Sequence, residues 1–369
     1  MIKKVGFIGW RGIVGSVLMR RMIEENNFEN IDATFFSTSQ IGSICPLFLG
    51  KNYILNDAYD FSLLKNMDII VSCQGSEYTD IVYNKLRSLR WNGYWIDASS
   101  SLRMNNDSII VLDPVNIQLI KKGIYNGIKT FVGGNCTVSL MLMALGGLFQ
   151  NNLIESLIFS TYQAASGAGS KHIIELIRQM GYLYNIVSSD LNNISISILD
   201  IEKKISNSIL ELNFPKKQFG TSLAGNVLPW IDVFTESQQT KEEWKVQEEA
   251  NKILNQKNNI CIDGTCVRVG ALRCHSQSFF IKLRKNLSCD NLTEIIQNHN
   301  DWIRVIPNDY KSTIKYLTPI SVSGTLNISV GRIRKLNVGS NIFSVFTVGD
   351  QLLWGAAEPL RRILMLLLS

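Results

Sequence analysis

Side-chain chemistry first concentrates in this sequence at a cysteine behind two glycines, in Phe131-Val132-Gly133-Gly134-Asn135-Cys136-Thr137-Val138. The apolar run before the glycines reads as a strand. The apolar stretch behind the cysteine, Leu140 to Phe149, has helical length. Glycine lets other groups approach the backbone closely, and Asn135 is a good N-cap. Cys136 then falls in the first helical turn, where free N–H groups and the positive end of the helix dipole favour thiolate. The same N–H groups could hold an oxyanion on a substrate attacked by the sulfur. A buried structural thiol is the competing reading.

A cysteine nucleophile needs an acid–base partner. The chain has 3 histidines, His172, His275 and His299. His299 lies in the polar run Gln297-Asn298-His299-Asn300 and reads as exposed, and His172 opens a helix. Only His275 sits inside an apolar stretch, Val267 to Ser276, which has strand character throughout. Alternation puts Arg268 and His275 on opposite faces of a straight strand, unless Gly270 marks a bulge. His275 is the best candidate partner for Cys136, against the reading of a satisfied core histidine.

These residues need elements to position them. Strand Lys4 to Ile8 runs into Gly9-Trp10-Arg11-Gly12-Ile13-Val14-Gly15, and Val17, Leu18, Met19 and Met22 follow at helical spacing. That is a G-x-x-G-x-x-G variant of the dinucleotide fingerprint. The next strand, Asp32 to Phe36, ends in Ser37-Thr38-Ser39-Gln40. No carboxylate stands there to repel a 2′-phosphate, the hydroxyls could bond one, and Arg11 is a candidate charge partner. NADP is therefore expected over NAD. Strands Met67 to Ser72, Tyr94 to Asp97, Ile109 to Leu112 and Thr130 to Val132, with a helix from about Tyr78 to Leu89, complete a doubly wound α/β unit. Arg103 stands just past a strand's carboxyl end, where ligands gather, although a lone arginine there also reads as solvated.

Beyond Cys136 the pattern changes. Strand Leu157 to Gln163 leads into Ala164-Ala165-Ser166-Gly167-Ala168-Gly169-Ser170-Lys171, a backbone cradle at the start of a long helix running from about His172 toward Leu191. Thr240 with Glu243 forms a capping-box pattern for a helix to about Leu254, leaving Glu242 and Lys245 able to meet on one face. Apolar segments in Thr318 to Val330 and Ile342 to Val348 look like strands. A final helix begins at Asp350-Gln351 and runs to Leu368, with Pro359 suggesting a kink.

With 369 residues, two domains are the default, and 46% hydrophobic residues exclude a disordered chain. The net charge of +6 is spread out, apart from pairs such as Lys216-Lys217 and Arg361-Arg362, so no nucleic-acid footprint is read. The 7 cysteines, at 45, 73, 136, 261, 266, 274 and 289, have no zinc-site spacing and suit a reducing, cytoplasmic protein. The start, Met1-Ile2-Lys3-Lys4, lacks the unbroken apolar run of a signal peptide. The run Ile363 to Leu368 is too short to span a bilayer, so neither a membrane partner nor a metal is expected.

Taken together, these stretches closely resemble aspartate-β-semialdehyde dehydrogenase of the Gram-negative bacterial form. The resemblance rests on Gly-Phe-Ile-Gly-Trp-Arg-Gly-Ile-Val-Gly at 6–15, Phe-Phe-Ser-Thr-Ser-Gln at 35–40 and Gly-Gly-Asn-Cys-Thr at 133–137. It rests further on Tyr-Gln-Ala-Ala-Ser-Gly-Ala-Gly at 162–169, Glu-Glu-Trp-Lys at 242–245 and Arg-Val-Gly-Ala-Leu-Arg-Cys-His-Ser at 268–276. It implies a Rossmann-like NADP-binding domain (1–133 and 357–369) and an α+β catalytic and dimerisation domain (134–356) in a homodimer. The activity implied is NADPH-dependent reduction of L-aspartyl-4-phosphate to L-aspartate-4-semialdehyde with release of phosphate, toward lysine and diaminopimelate, threonine, methionine and isoleucine.

By the same resemblance Cys136 is the nucleophile and His275 the acid/base. Gln163, Glu242 and Arg268 would bind substrate, and Arg103 and Lys245 its phosphate. Arg11, Gly12, Ile13, Val14, Thr38, Ser39, Gln74, Ser166, Gly167, Ala168, Gly169, Ser170 and Gln351 would hold NADP. Departures are small. Asn192-Asn193-Ile194-Ser195 stands where relatives often have proline, and Ala168 replaces a glycine, tolerable if its φ is negative. The runner-up readings are N-acetyl-glutamyl-phosphate reductase, which would not need Glu242 as a counter-ion, and an NADP-binding thiol sensor.

Overall fold

The computed structural model describes residues 2–44, 53–256 and 259–369. Cys45 and Asn258 lie outside the described residues. The first sheet is parallel throughout and holds β1 (Lys3–Ile8), β2 (Ile31–Ser37), β3 (Asn56–Asp57), β4 (Ile69–Ser72), β5 (Tyr94–Asp97), β6 (Ser108–Val111) and β7 (Thr130–Gly133) in the order β3-β2-β1-β4-β5-β7-β6. β4, β6 and β7 are buried along their whole length, as strands covered by helices on both faces must be. Val5, Phe7 and Phe35 pack under the Ile13–Glu24 helix on one face, while Tyr78, Val82 and Leu86 of the Ser76–Ser88 helix cover Trp95 on the other. The chain turns from β2 back across β1 to β4, so the ligand crevice of such a sheet falls at the carboxyl ends of β1 and β4.

The second sheet is mixed: β8 (Ile154–Gln163), β9 (Val227–Leu228), β10 (Cys261–Val269), β11 (His275–Leu283), β12 (Ile303–Val305), β13 (Ile328–Lys335) and β14 (Ile342–Gly349), ordered β12-β13-β14-β11-β8-β10-β9. The Cys136–Gln150 helix lies on its inner face with Thr137 through Phe149 all buried. A helix apolar all round has to be a core helix. On the outer face, Ile158, Tyr162 and Phe280 are exposed.

The stretch Val267 to Ser276 is not one strand. β10 pairs parallel with β8 and β11 antiparallel with it, so residues 270–274 cross over the end of β8. Ala271 and Leu272 carbonyls accept from Ala165 and Ser166 N–H groups on the way, and Cys274 takes a φ of 73°. Arg268 is the register partner of Gln163, and His275 follows the turn one step beyond the Tyr162–Ser276 pair. The crossover thus brings Arg268 and His275 to the same inner face, on either side of Gln163, where straight alternation had put them on opposite faces.

Other elements also differ from the sequence reading. Residues 319–322 form a helical turn, Pro319–Val322, set by proline at its start, and only Ile328 onward is strand. The long helix begins at Ser170 and stops at Val187. Pro359 lies in the first turn of the terminal Glu358–Leu368 helix, where its missing N–H costs nothing, so it starts that helix after one π-helical turn, Leu353–Ala357. Leu360, Ile363 and Leu364 of the terminal helix bury in the core of the first sheet. His299 is half-buried against the Cys136 helix, where a side chain at Gly146 would collide with its ring 2.2 Å away. Its polar neighbours in sequence gave no sign of that contact.

Candidate active site

Residues from both sheets line one cavity of about 510 Å³. Ile13 and Val14 open the helix that follows β1, and Ala98 and Arg103 come from the loop at the carboxyl end of β5, while Cys136, Gln163, Ser166 to Gly169, Glu242, Lys245 and Arg268 come from the second half. Gln351 and Gly355 close it from the C-terminal segment. The alternative of a solvated Arg103 is excluded, since Arg103 is buried.

Asn135 caps the Cys136–Gln150 helix as its sequence predicts. Its side chain accepts from the Thr137 and Val138 N–H groups at 2.8 and 3.2 Å. The Cys136 sulfur faces His275 Nε2 at 3.4 Å. On the far side of the ring, Nδ1 accepts from the Ala164 N–H at 3.1 Å, while Arg268 donates to the Ala164 carbonyl at 2.8 Å. An N–H donor on Nδ1 leaves the neutral ring's own proton on Nε2, aimed at sulfur. Burial, with the nearby Arg268 charge, lowers the imidazole to about 3.

The thiol differs from the thiolate expected at a helix start. Burial, reinforced by the Glu242 carboxylate, pushes Cys136 up to about 11, against the opposing pull of Arg268 and Arg103. Desolvation outweighs the helix terminus here because protein groups enclose the sulfur beside a carboxylate.

Glu242 is the hub of the polar groups. Its carboxylate accepts from Asn135 Nδ2 at 3.0 Å and Gln163 Nε2 at 3.3 Å, and Lys245 stands 3.4 Å away. Gln163 also donates to the Thr137 hydroxyl at 2.8 Å. Lys245 is paired with Asp232 at 2.7 Å. Burial alone would lower the Lys245 ammonium, but Glu242 and Asp232 overcome it and hold it raised. Arg103 donates through Nε to the Gly133 carbonyl at 2.8 Å and through Nη1 to Glu249 at 3.0 Å. The capping box of Thr240 and Glu243 forms as read and leaves Glu242 free for the site.

On the nucleotide side, Gly9 has a φ of 71°, and a side chain there would stand 2.5 Å from the Cys73 backbone. One at Gly15 would stand 2.3 Å from the Gly9 carbonyl oxygen. The loop is therefore packed for a close backbone approach, as a dinucleotide site requires, and Gly12 opens the Ile13–Glu24 helix toward the cavity side. Thr38 follows β2 and accepts from Gln74, which follows β4, at 3.4 Å. Ser39 stands beside Thr38, and Arg11 lies exposed with its guanidinium 5.8 Å from the Trp10 ring. Thr38 and Gln74 thus meet at the carboxyl ends of β2 and β4, a placement that fits a nicotinamide dinucleotide, while none of Arg11, Thr38, Ser39 and Gln74 lines the cavity itself.

In the 166–170 cradle, Ala168 is not among the residues of positive φ; Gly169, at 104°, takes the left-handed turn and Ser170 starts the helix. Gln351 is buried and bonded to Ser166 and to the Cys274 N–H, so it ties the cradle to the crossover. Ile194 is fully exposed and does not line the cavity.

Two charged residues of the site were not read from the sequence. Asp232 sits in an irregular stretch with no periodic signal. Glu249 did leave one: Glu242, Lys245, Glu249 and Lys252 recur at spacings of three, four and three on one helix, the signature of a single face.

A doubly wound nucleotide sheet and a cysteine–histidine pair, the cysteine half-buried at the cavity wall and the histidine buried behind it, define a nicotinamide-dependent oxidoreductase. Residues 4–123 match the NAD-binding domain of semialdehyde dehydrogenases, and residues 145–354 match their dimerisation domain. The chain belongs to the semialdehyde dehydrogenase family, as its motifs had implied. An aspartate semialdehyde dehydrogenase from Francisella tularensis is 49% identical, with 100% of both chains covered and a TM-score of 0.95. Aspartate semialdehyde dehydrogenase II from Vibrio cholerae, solved complexed with ASA, is 22% identical over 100% of this chain and 98% of its own, with a TM-score of 0.79. The Candida albicans enzyme, solved with NADP, shares the fold at 15% identity, covering 100% and 98%, with a TM-score of 0.66.

Proposed function

We propose that the protein reduces L-aspartyl-4-phosphate to L-aspartate-4-semialdehyde with NADPH, releasing phosphate, by way of a thioester on Cys136. The observation carrying this reading is the cavity itself. One sulfur, a carboxylate suited to an ammonium group and three cations suited to anions converge within it. Arg268 suits the substrate α-carboxylate through a bidentate pair, and Glu242, with Gln163, its α-ammonium. Arg103 and Lys245 would hold the phosphate. An ammonium at Glu242 cancels the negative charge nearest the sulfur and so eases loss of the thiol proton to solvent. The thiolate attacks the acyl carbon, the carbon–oxygen bond to phosphate breaks, and phosphate leaves with the bonding electrons toward Arg103 and Lys245.

His275 is the acid–base group in this reading, and Nε2 is its working atom. It holds a proton against the sulfur, which steadies the thiolate before attack and again as it leaves the product carbon. When bound, NADPH supplies hydride to the thioester carbon. Arg11 to Val14, Thr38, Ser39, Gln74, the 166–170 cradle and Gln351 would hold it. The absence of a carboxylate after β2 supports NADP over NAD.

Residues 1–133 with 357–369 form the nucleotide domain in this reading, and 134–356 the catalytic domain. The exposed apolar residues Ile158, Tyr162 and Phe280 on the outer sheet face support a homodimer through that face. Among the described residues no helix is long and apolar enough to cross a membrane, and we assign the enzyme to cytoplasmic lysine, threonine, methionine and isoleucine synthesis. The test is NADPH formation from aspartate semialdehyde and NADP with and without phosphate. A phosphate-dependent signal supports the reading, and activity on N-acetyl-glutamyl phosphate in its place overturns it.

A further inference from the structure

One face of the Lys241–Leu254 helix carries charge for two turns beyond the residues assigned above. Glu249 is buried, and its two oxygens have different partners. One accepts from Arg103 Nη1 at 3.0 Å, the other from the Asn135 backbone N–H at 2.7 Å. Arg103 is also fixed through Nε to the Gly133 carbonyl. Its guanidinium is thus oriented by groups on either side of Gly134, immediately before the Cys136 helix. A turn further on, Lys252 donates to the carbonyls of Arg103 and Asn105. It pins the loop that carries Arg103.

We propose that Glu249 is a positioning residue, seconded by Lys252, that joins the anion subsite at Arg103 to the N-cap of the nucleophile's helix. The proposal rests on the reading of Arg103 as a phosphate ligand. Glu249 must take two donors at once, an arginine N–H and a backbone N–H. A carboxylate has two acceptor oxygens and no hydrogen, so it satisfies both. Glutamine has the same shape but only one acceptor oxygen, and its amide would face a second donor. Glu249→Gln therefore breaks one of the two bonds while preserving volume, and leaves a buried group unpaired. The loss falls on Arg103's orientation and on the placement of Asn135, one residue before the sulfur.

The test follows inorganic phosphate directly, through its protection of Cys136 against iodoacetamide in the full chain with NADP present. In the wild type, phosphate slows alkylation in a saturable way. In Glu249→Gln the half-saturating phosphate should rise about tenfold, the size of one lost charge-assisted bond, while NADP affinity stays within about twofold. Adding Glu249→Gln to Arg103→Leu should weaken phosphate no further, because the effect passes through Arg103. If Glu249→Gln does not fold, Lys252→Met serves instead and should weaken phosphate in the same direction. Unchanged phosphate protection in the folded variant overturns the proposal, as does additivity with Arg103→Leu or an equal loss of NADP and phosphate binding. Failure of phosphate to protect the wild type overturns the subsite and the proposal with it. Phosphate protection without turnover of aspartate semialdehyde overturns only the substrate reading.

Discussion

Nε2 of His275 stands 3.4 Å from the sulfur of Cys136 while Nδ1 of the same ring accepts from the Ala164 N–H. Protonating Nδ1 would set one donor against another in a buried site beside Arg268. The ring is accordingly held neutral, down to about 3. A depressed folded-state value means that the fold gains stability above the ordinary imidazole value of 6.5 and loses it as pH falls toward 3. His275→Gln should therefore flatten the fall of melting temperature between those pH values. Equal slopes in the two proteins would remove His275 from the acid response.

Cys136 has the opposite sign. Its folded value is raised from 9.0 to about 11 by burial and by Glu242, so its contribution to stability is full below 9 and is lost as pH rises through 11. Alkylation of the ligand-free enzyme should keep accelerating above pH 9. Cys136→Ala should abolish turnover yet keep NADP binding and dimerisation. Residual turnover near wild type would exclude the sulfur from the mechanism.

Cofactor choice turns on the end of β2. Ser39→Asp places a carboxylate where the 2′-phosphate of NADP would lie. The KM for NADP should rise about tenfold or more, as expected for like charges brought together at a partly exposed site, while the KM for NAD holds or falls. Equal effects on both cofactors would show that this loop does not read the 2′-phosphate.

Gly355 lies in the π-helical turn, and a Cβ there would stand 2.6 Å from the Cys136 Cβ. Overpacking of this kind costs about 1–3 kcal/mol and displaces its neighbour. Gly355→Ala should lower kcat at least about tenfold, because small misplacements of a nucleophile are costly, with NADP affinity retained. A wild-type kcat would mean that the turn yields without moving the sulfur.

Much of the site was legible because local rules govern it. Asn135 as cap and the Thr240–Glu243 box are set by neighbours within four residues, and both form as the sequence reads, as does the glycine turn at 9–15. Arg268 and His275 were found as residues but not as a pair. Whether the segment after Val269 continues as a strand or crosses β8 depends on sheet order, which periodicity does not encode. The thiol's raised value and His299's burial likewise depend on groups distant in sequence. Residues 319–322 were misread because a short apolar run fits strand or helix equally, and Pro319 decides it.

The most direct test of the central claim is to mix enzyme, NADP and aspartate semialdehyde without phosphate and follow both NADPH and the mass of the Cys136 peptide. The expected result is a burst of NADPH of about one equivalent per active site, as a stalled acyl-enzyme gives, an aspartyl group on Cys136, and resumed turnover when phosphate is added. Phosphate-dependent turnover with no burst and an unmodified Cys136 would contradict a thioester mechanism.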